Sequence, residues 1–332
     1  MIEQRENAYR GCRAMVTGGL GFIGSNLARS LVHLEAQVTI VDSLVPGCGA
    51  NRWNIHDIRS QVDLQEVDLQ DSEAMSRLVR GQDCIFNLAG QVSHIDSMTK
   101  PLEDLEINCR SHLSLLEVCR RENPTARIIY AGTRQQYGRP LRLPVDENHP
   151  NNPMDVNGIN KMAAEWYHRL YHEVYGLQTC SLRLTNTFGP GILIKHSRQG
   201  FISVFIRRVL DDETIQVFGD GSQLRDFNYV SDVVSAFLMA GDGRELGGET
   251  YNLGSTEVLS VLQIAEMMVR IGGRGRIEVV PFPDERKRID IGSYYGNFEK
   301  IRKEFGWEPK VSVEEGIRHT LTFFQKYGEH YL

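Results

Sequence analysis

The sequence predicts an α/β fold, a doubly wound parallel sheet with a smaller α/β domain toward the C-terminal end, and two observations carry that reading. Short apolar runs alternate with longer stretches whose apolar residues recur at helical spacing. The first run also opens into a turn that repeats glycine at every third position, Gly18, Gly21 and Gly24. Strands are expected at 13–17, 37–41, 83–88, 127–131 and 179–184, and helices at 24–34, 72–79, 104–121 and 162–175. Strands this short and apolar need cover on both faces, which the intervening helices provide. Beyond residue 184 the alternation breaks at Gly189, Pro190 and Gly191; a helix at 201–210, a strand and turn at 215–221 and a helix after Val230 follow. From Ser260 come a helix, a strand, a charged loop at 281–290 and two terminal helices, the last at 313–327. The expected division is a Rossmann-type domain of residues 1–184, which also receives about 226–254, and a second domain of 185–225 and 255–332.

At 332 residues the chain is long enough for about two domains, and its 41% hydrophobic and 24% charged residues exclude collagen-like and wholly disordered classes. A net charge of -6 gives no general attraction to phosphate backbones or acidic lipids, so nucleic acid is not expected as a partner. The six cysteines, Cys12, Cys48, Cys84, Cys109, Cys119 and Cys180, form no Cys-x-x-Cys pair. Neither a zinc site nor a disulfide framework is expected, and reduced thiols fit a cytoplasmic protein. Residues 1–11 hold Glu3, Arg5, Glu6 and Arg10 around no apolar core, and no later stretch reaches the roughly 18 apolar residues of a membrane span. The expectation is a cytoplasmic protein, neither secreted nor membrane-inserted.

The glycine turn carries the first functional signal. Gly18, Gly21, Phe22, Ile23 and Gly24 join a strand to a helix. Glycine there lets the backbone turn tightly and approach a pyrophosphate, while the helix N-terminus faces the anion. Asp42 ends the next strand, where a carboxylate accepts hydrogen bonds from an adenosine ribose diol and repels a 2'-phosphate, so NAD is favoured as cofactor. Arg52 keeps NADP open as the alternative. Asp68, followed by Leu69, stands where it could hold the adenine edge.

These residues, the strand end Leu88-Ala89-Gly90, Thr133 ahead of Tyr137-Gly138, Asn186 in Arg183-Leu184-Thr185-Asn186-Thr187-Phe188-Gly189-Pro190 and Arg225-Asp226-Phe227-Asn228-Tyr229-Val230 together resemble an extended short-chain dehydrogenase/reductase. Within that superfamily the chain is similar to nucleotide-sugar epimerases and dehydratases, nearest to sugar 4-epimerases and the CDP-tyvelose 2-epimerase type. The resemblance implies an NAD that stays bound, accepts hydride from a sugar carbon and returns it after rearrangement. It implies a nucleotide-diphosphate sugar as substrate, and a homodimer joined through the helices at 104–121 and 162–175. It also places Leu88, Ala89 and Gly90 against the cofactor.

In such enzymes a Ser or Thr, a Tyr and a Lys four residues beyond it carry the hydride chemistry. Thr133 and Lys161 match the first and last, the lysine serving the nicotinamide ribose, but the tyrosine position is Asn157. A carboxamide has no proton that titrates near neutrality, so Asn157 can hold a hydroxyl but cannot take its proton. On the helix face it shares with Lys161 it is expected to hydrogen-bond the sugar. Four substitutes for the base are open: Tyr137, His94 after Ser93, Lys161 itself, and a water held by Asn157.

Relatives that eliminate water or carbon dioxide place a carboxylic acid just after the Ser or Thr, where this chain has Arg134 and Gln135. Neither transfers that proton near neutrality, which favours epimerisation or simple oxidation and reduction. Ser93, Arg134, Gln135 and Asn186 are expected at the sugar, with Arg134 able to pair an anion. Resemblance makes Arg225 and Arg288 the diphosphate clamp, since a guanidinium fork meets phosphate oxygens in two places. Lys195 and His196 could help line that pocket, and no metal is expected. Two other readings are a nucleotide-sugar-binding protein that has lost hydride transfer and a net sugar-nucleotide dehydrogenase or reductase.

Overall fold

The structure, a computed structural model, describes residues 8–195 and 200–332. Seven parallel strands form the central sheet: β1 (Arg13–Thr17), β2 (Gln37–Val41), β3 (Val62–Gln65), β4 (Cys84–Asn87), β5 (Arg127–Thr133), β6 (Gln178–Leu184) and, later in the chain, Thr250–Asn252. Between the last two come β7 (Asn186–Phe188), β8 (Thr214–Phe218) and β9 (Leu224–Tyr229), which makes Thr250–Asn252 β10. The sheet order is β10-β6-β5-β4-β1-β2-β3, the doubly wound arrangement expected. Sequence periodicity does not single out β10; its Tyr251 and Asn252 are buried at the sheet edge beside β6.

Alternate residues of each strand serve opposite layers. Ala14, Val16, Phe86 and Ile129 pack with helices Phe22–His33 and Val230–Ala240, whereas Met15, Ile85 and Ile128 pack with Leu115, Leu116 and Cys119 of helix Ser111–Glu122. A separate cluster of Phe188, Phe205, Ile206, Val217, Ile264, Ile317 and Leu321 gathers the C-terminal part. There β11 (Val258–Ser260) pairs antiparallel with β9, and β12 (Arg276–Val280) pairs parallel with β8. The charged loop expected at 281–290 contains a short helix, Asp284–Ile289.

Two helices depart from the pattern in ways that matter for the site. The one expected at 104–121 is three segments, helix Pro101–Leu105, a π turn Glu106–Arg110 and helix Ser111–Glu122. The one expected at 162–175 begins earlier and runs Val156–Tyr175. Asn157, Gly158 and Asn160 are poor helix formers, so propensity hides this first turn. Asp155 starts it nonetheless: from extended backbone its carboxylate accepts from Gly158 N at 2.6 Å, and Gly176 ends the helix in the left-handed region at φ 72°.

Candidate active site

Strand order reverses between β1 and β4, and the crevice beyond their C-terminal ends opens into a cavity of about 760 Å³. Gly18, Gly21, Phe22, Ile23, Gly24, Asp42, Asp68, Leu69 and the Leu88-Ala89-Gly90 strand end line one end of it. Gly18 has φ +66° and a Cβ there would stand 2.8 Å from Leu88 O; one on Gly24 would stand 2.3 Å from Gly18 O. The turn and the β4 end therefore touch backbone to backbone. Thr17 ties them further, its Oγ1 donating to Asn87 Oδ1 at 3.0 Å and accepting from Leu88 N and Ala89 N.

The Asp42 carboxylate accepts from Leu20 N at 3.0 Å and Leu44 N at 2.9 Å, and burial pushes its carboxyl up. Each oxygen retains a lone pair for a hydroxyl donor. Arg52 forks onto Glu66 at 2.8 Å. The glycine cradle and the buried Asp42 fit a dinucleotide, with Gly21 presenting bare backbone and Asp42 a carboxylate to the same cavity.

The middle of the cavity is lined by Thr133, Arg134, Gln135, Asn157, Lys161 and His94. Lys161 Nζ lies 5.0 Å over the Tyr130 ring, and burial brings the ammonium down to about 8 against the opposing pull of Asp104 and Glu165. Thr133 Oγ1 accepts from Gln135 N at 3.2 Å and keeps its own proton to donate.

Asn157 turns its NH2 group away from the cavity. Its Nδ2 donates to Gln91 O at 2.8 Å and to Asp104 Oδ2 at 3.1 Å. The buried Asp104 carboxylate also accepts from Gln91 Nε2, Asn108 Nδ2 and Asn160 Nδ2. The Nδ2 of Asn157 thus belongs to a ring of carboxamides that compensates one buried charge, which leaves only its Oδ1, without a partner among the described residues, for the hydrogen bond to the sugar expected of it. The π turn sets Asn108 within this ring.

His94 opens helix His94–Thr99 with Nδ1 against Asp155 Oδ2 and Nε2 at 2.6 Å from Gln135 Nε2. Tyr137, one of the candidate bases, is fully buried outside the cavity lining. Its hydroxyl donates to Asn252 Oδ1 at 2.8 Å and accepts from Arg183, and burial pushes it up to about 12. Buried and bonded in this way, it has no route to a sugar.

At the far end, Arg225 is buried with Nη1 donating to the Leu224 and Gly292 carbonyls and Nη2 3.6 Å from Asp290 Oδ1. Burial, and then the nearby Arg134 charge, lower its guanidinium to about 10, so an anion is favoured beside it. Arg134 lies 4.9 Å over the Tyr294 ring and 3.5 Å from Asn186 Oδ1. Asn186 in turn donates to Asp226 O at 2.9 Å, tying β7 to β9.

Two substrate expectations are corrected. Ser93 is buried outside this cavity, where its hydroxyl caps the following helix by accepting from Asp96 N at 3.1 Å. Arg288 lies on the short helix outside the cavity lining, and Arg286, two residues earlier and likewise exposed, lines the cavity instead, packed 5.1 Å over Phe218. A helix replaces the expected loop, so residues two apart point to different sides. Lys195 is exposed away from the cavity, and His196 lies outside the described residues. Sequence reasoning passed over Asp104, Asp155 and Arg286; the Ser/Asp-type cap pattern at Asp155 is the one signal that could have found any of them.

The fold and this crevice define a Rossmann-type dinucleotide-binding protein. Residues 14–254 match the NAD dependent epimerase/dehydratase family. The UDP-glucose 4-epimerase of Mycolicibacterium smegmatis is 30% identical over 326 residues, covering 94% of this chain and 98% of that protein. The solved UDP-glucose 4-epimerase of Thermotoga maritima, crystallised with UDP-glucose, superposes with a TM-score of 0.86 at 30% identity, over 95% of this chain and 99% of that one. A dTDP-glucose 4,6-dehydratase of Streptomyces venezuelae with NAD bound gives 0.87 at 25% identity, over 96% and 98%. The chain belongs to the NAD-dependent epimerase/dehydratase family, whose cofactor is NAD.

Proposed function

We propose that this protein is an enzyme that epimerises a nucleotide-diphosphate sugar through transient oxidation. One observation carries the reading: a single cavity runs from the glycine turn, past Thr133 and Lys161, to the buried Arg225. NAD held at the glycine end would take hydride from a sugar carbinol and give it back. Gly21 and the helix Phe22–His33 N-terminus would meet its pyrophosphate, Asp42 its adenosine ribose and Lys161 its nicotinamide ribose. Thr133 would hold the reacting hydroxyl, and Arg225 with Arg286 would hold the substrate diphosphate.

No carboxyl follows Thr133, which supports return of the hydride over loss of water or carbon dioxide. A homodimer in the cytoplasm is part of the reading. Ile159, Trp166, Leu170 and Val174 leave an exposed apolar stripe along helix Val156–Tyr175, with Leu102 and Leu105 exposed on helix Pro101–Leu105, and no described helix is long and apolar enough to cross a membrane. The test is incubation of the holoenzyme with a panel of nucleotide sugars and separation of products by chromatography. An isomer of one member is expected; a keto product with accumulating free NADH would make it a dehydrogenase instead, and binding without any product would make it a binding protein.

A further inference from the structure

The middle of the cavity holds one titratable pair that neither its glycine end nor its arginine end uses. Asp155 is buried at the start of helix Val156–Tyr175, where one oxygen caps the helix through Gly158 N and the other meets His94 Nδ1. Burial pushes this carboxyl up, but the hydrogen bond and charge of His94, the Gly158 amide and the Arg134 charge outweigh it and hold the group below the ordinary carboxylate range. An ionised Asp155 can only accept, so Nδ1 carries a proton, and in the neutral form of the imidazole Nε2 is left with the lone pair. Gln135 Nε2, 2.6 Å away, donates to that lone pair and so holds the place a sugar hydroxyl would take once the carboxamide turns aside. Gln135 Oε1 has no partner among the described residues, so a half-turn of the carboxamide would let the same side chain accept from a protonated Nε2. The His94 side chain is 38% exposed and lines the cavity with Thr133 and Lys161.

We propose that His94 is the proton acceptor of this site and that Asp155 is its positioning residue, together replacing the titratable hydroxyl that Asn157 cannot supply. The proposal rests on the oxidative reading above. As hydrogen leaves the sugar carbon with its electron pair to NAD, the hydroxyl proton on that carbon passes to His94 Nε2 and the C–O bond becomes C=O. The imidazolium is balanced by Asp155, and on reduction the same proton returns to oxygen. Asp155 fixes which nitrogen is free, and the close fit between two helix starts fixes where it points.

A mere clasp between those helix starts would use the same contacts, so the test must separate the two roles. Holoenzyme kinetics of H94Q and D155N with the converted nucleotide sugar are paired with imidazole rescue of H94A and with 15N spectra of the histidine rings. H94Q is expected to lose roughly 10²–10⁴ in kcat with KM nearly unchanged. D155N still caps the helix, because Asn and Asp are comparable N-caps, yet it should lower kcat in the same direction and move the His94 proton from Nδ1 to Nε2. Added imidazole should restore turnover to H94A and not to D155N. Wild-type kcat in H94Q, a raised KM with kcat intact, or an unmoved proton in D155N overturns the proposal while leaving the epimerase reading in place. A wild type inert toward the whole panel overturns that reading and this proposal with it.

Discussion

The glycine end of the cavity and its middle are built from different materials. At the glycine end backbone does the work: Gly18, Gly21 and Gly24 bring a turn against the β4 end, and Asp42 braces two backbone amides. Around Lys161 the structure is made by side chains from distant segments, with Asp104 accepting from Gln91, Asn108, Asn157 and Asn160 and with Asp155 joining His94 to helix Val156–Tyr175. A backbone cradle tolerates almost no added atom, whereas a carboxamide ring loses its members one hydrogen bond at a time. Perturbations should therefore be steep at the first place and graded at the second.

The steepest effect should come from Gly18→Ala, which meets both a left-handed φ and a Cβ 2.8 Å from Leu88 O. Strain of about 1–3 kcal/mol at that contact should weaken NAD binding by roughly 10–100-fold in calorimetry, and more if the turn moves. NAD affinity like that of the wild type would show that the turn has slack.

Lys161 offers a comparison by pH in protein freed of cofactor. Its folded value, about 8, lies below the ordinary 10.5, so between those values the unfolded chain binds more protons and stability rises with pH. Below about 8 the full cost of the buried ammonium is present. Urea unfolding should show Lys161→Met more stable than the wild type at neutral pH, with the gap closing by about 3 kcal/mol toward pH 10.5. A gap independent of pH would mean that Asp104 and Glu165 already balance the charge.

Arg225→Ala should reduce nucleotide-sugar affinity by roughly 10–100-fold, as for one charge-assisted contact of about 1.5–3 kcal/mol, and leave NAD binding unchanged. Equal loss of both ligands would join the two ends of the cavity into one unit. Asn157→Ala should have the smallest effect, about 1–2 kcal/mol of stability in urea unfolding from one donor lost to Asp104. A stability loss several times larger would show that the ring acts as a whole.

The same contrast explains what the sequence disclosed. A backbone cradle needs glycines at fixed short spacing, so Gly18, Gly21, Gly24 and Asp42 were readable in order along the chain. The ring around Asp104 is assembled by a π turn and by a helix start rich in Asn and Gly, both of which helical periodicity passes over. The sequence therefore marks Asn157 as standing where relatives have a tyrosine, but its bonds to Gln91 and Asp104 do not follow from its spacing to Lys161. Tyr137 misled for a related reason: its place next to Gly138 says nothing of Arg183 and Asn252, which bury it. Arg286, not Arg288, lines the cavity because a six-residue stretch expected as loop is helical.

The claim that joins both ends is that one sugar carbon is oxidised and reduced again inside this cavity. Stopped-flow absorbance of reduced nicotinamide on mixing the NAD-loaded protein with the nucleotide sugar it isomerises tests it directly. The account predicts a signal that rises before the isomer appears and decays to a steady level while the cofactor stays with the protein. Isomer formation with no reduced nicotinamide at any time, and no deuterium effect from a substrate labelled at the carbon that changes, would contradict it.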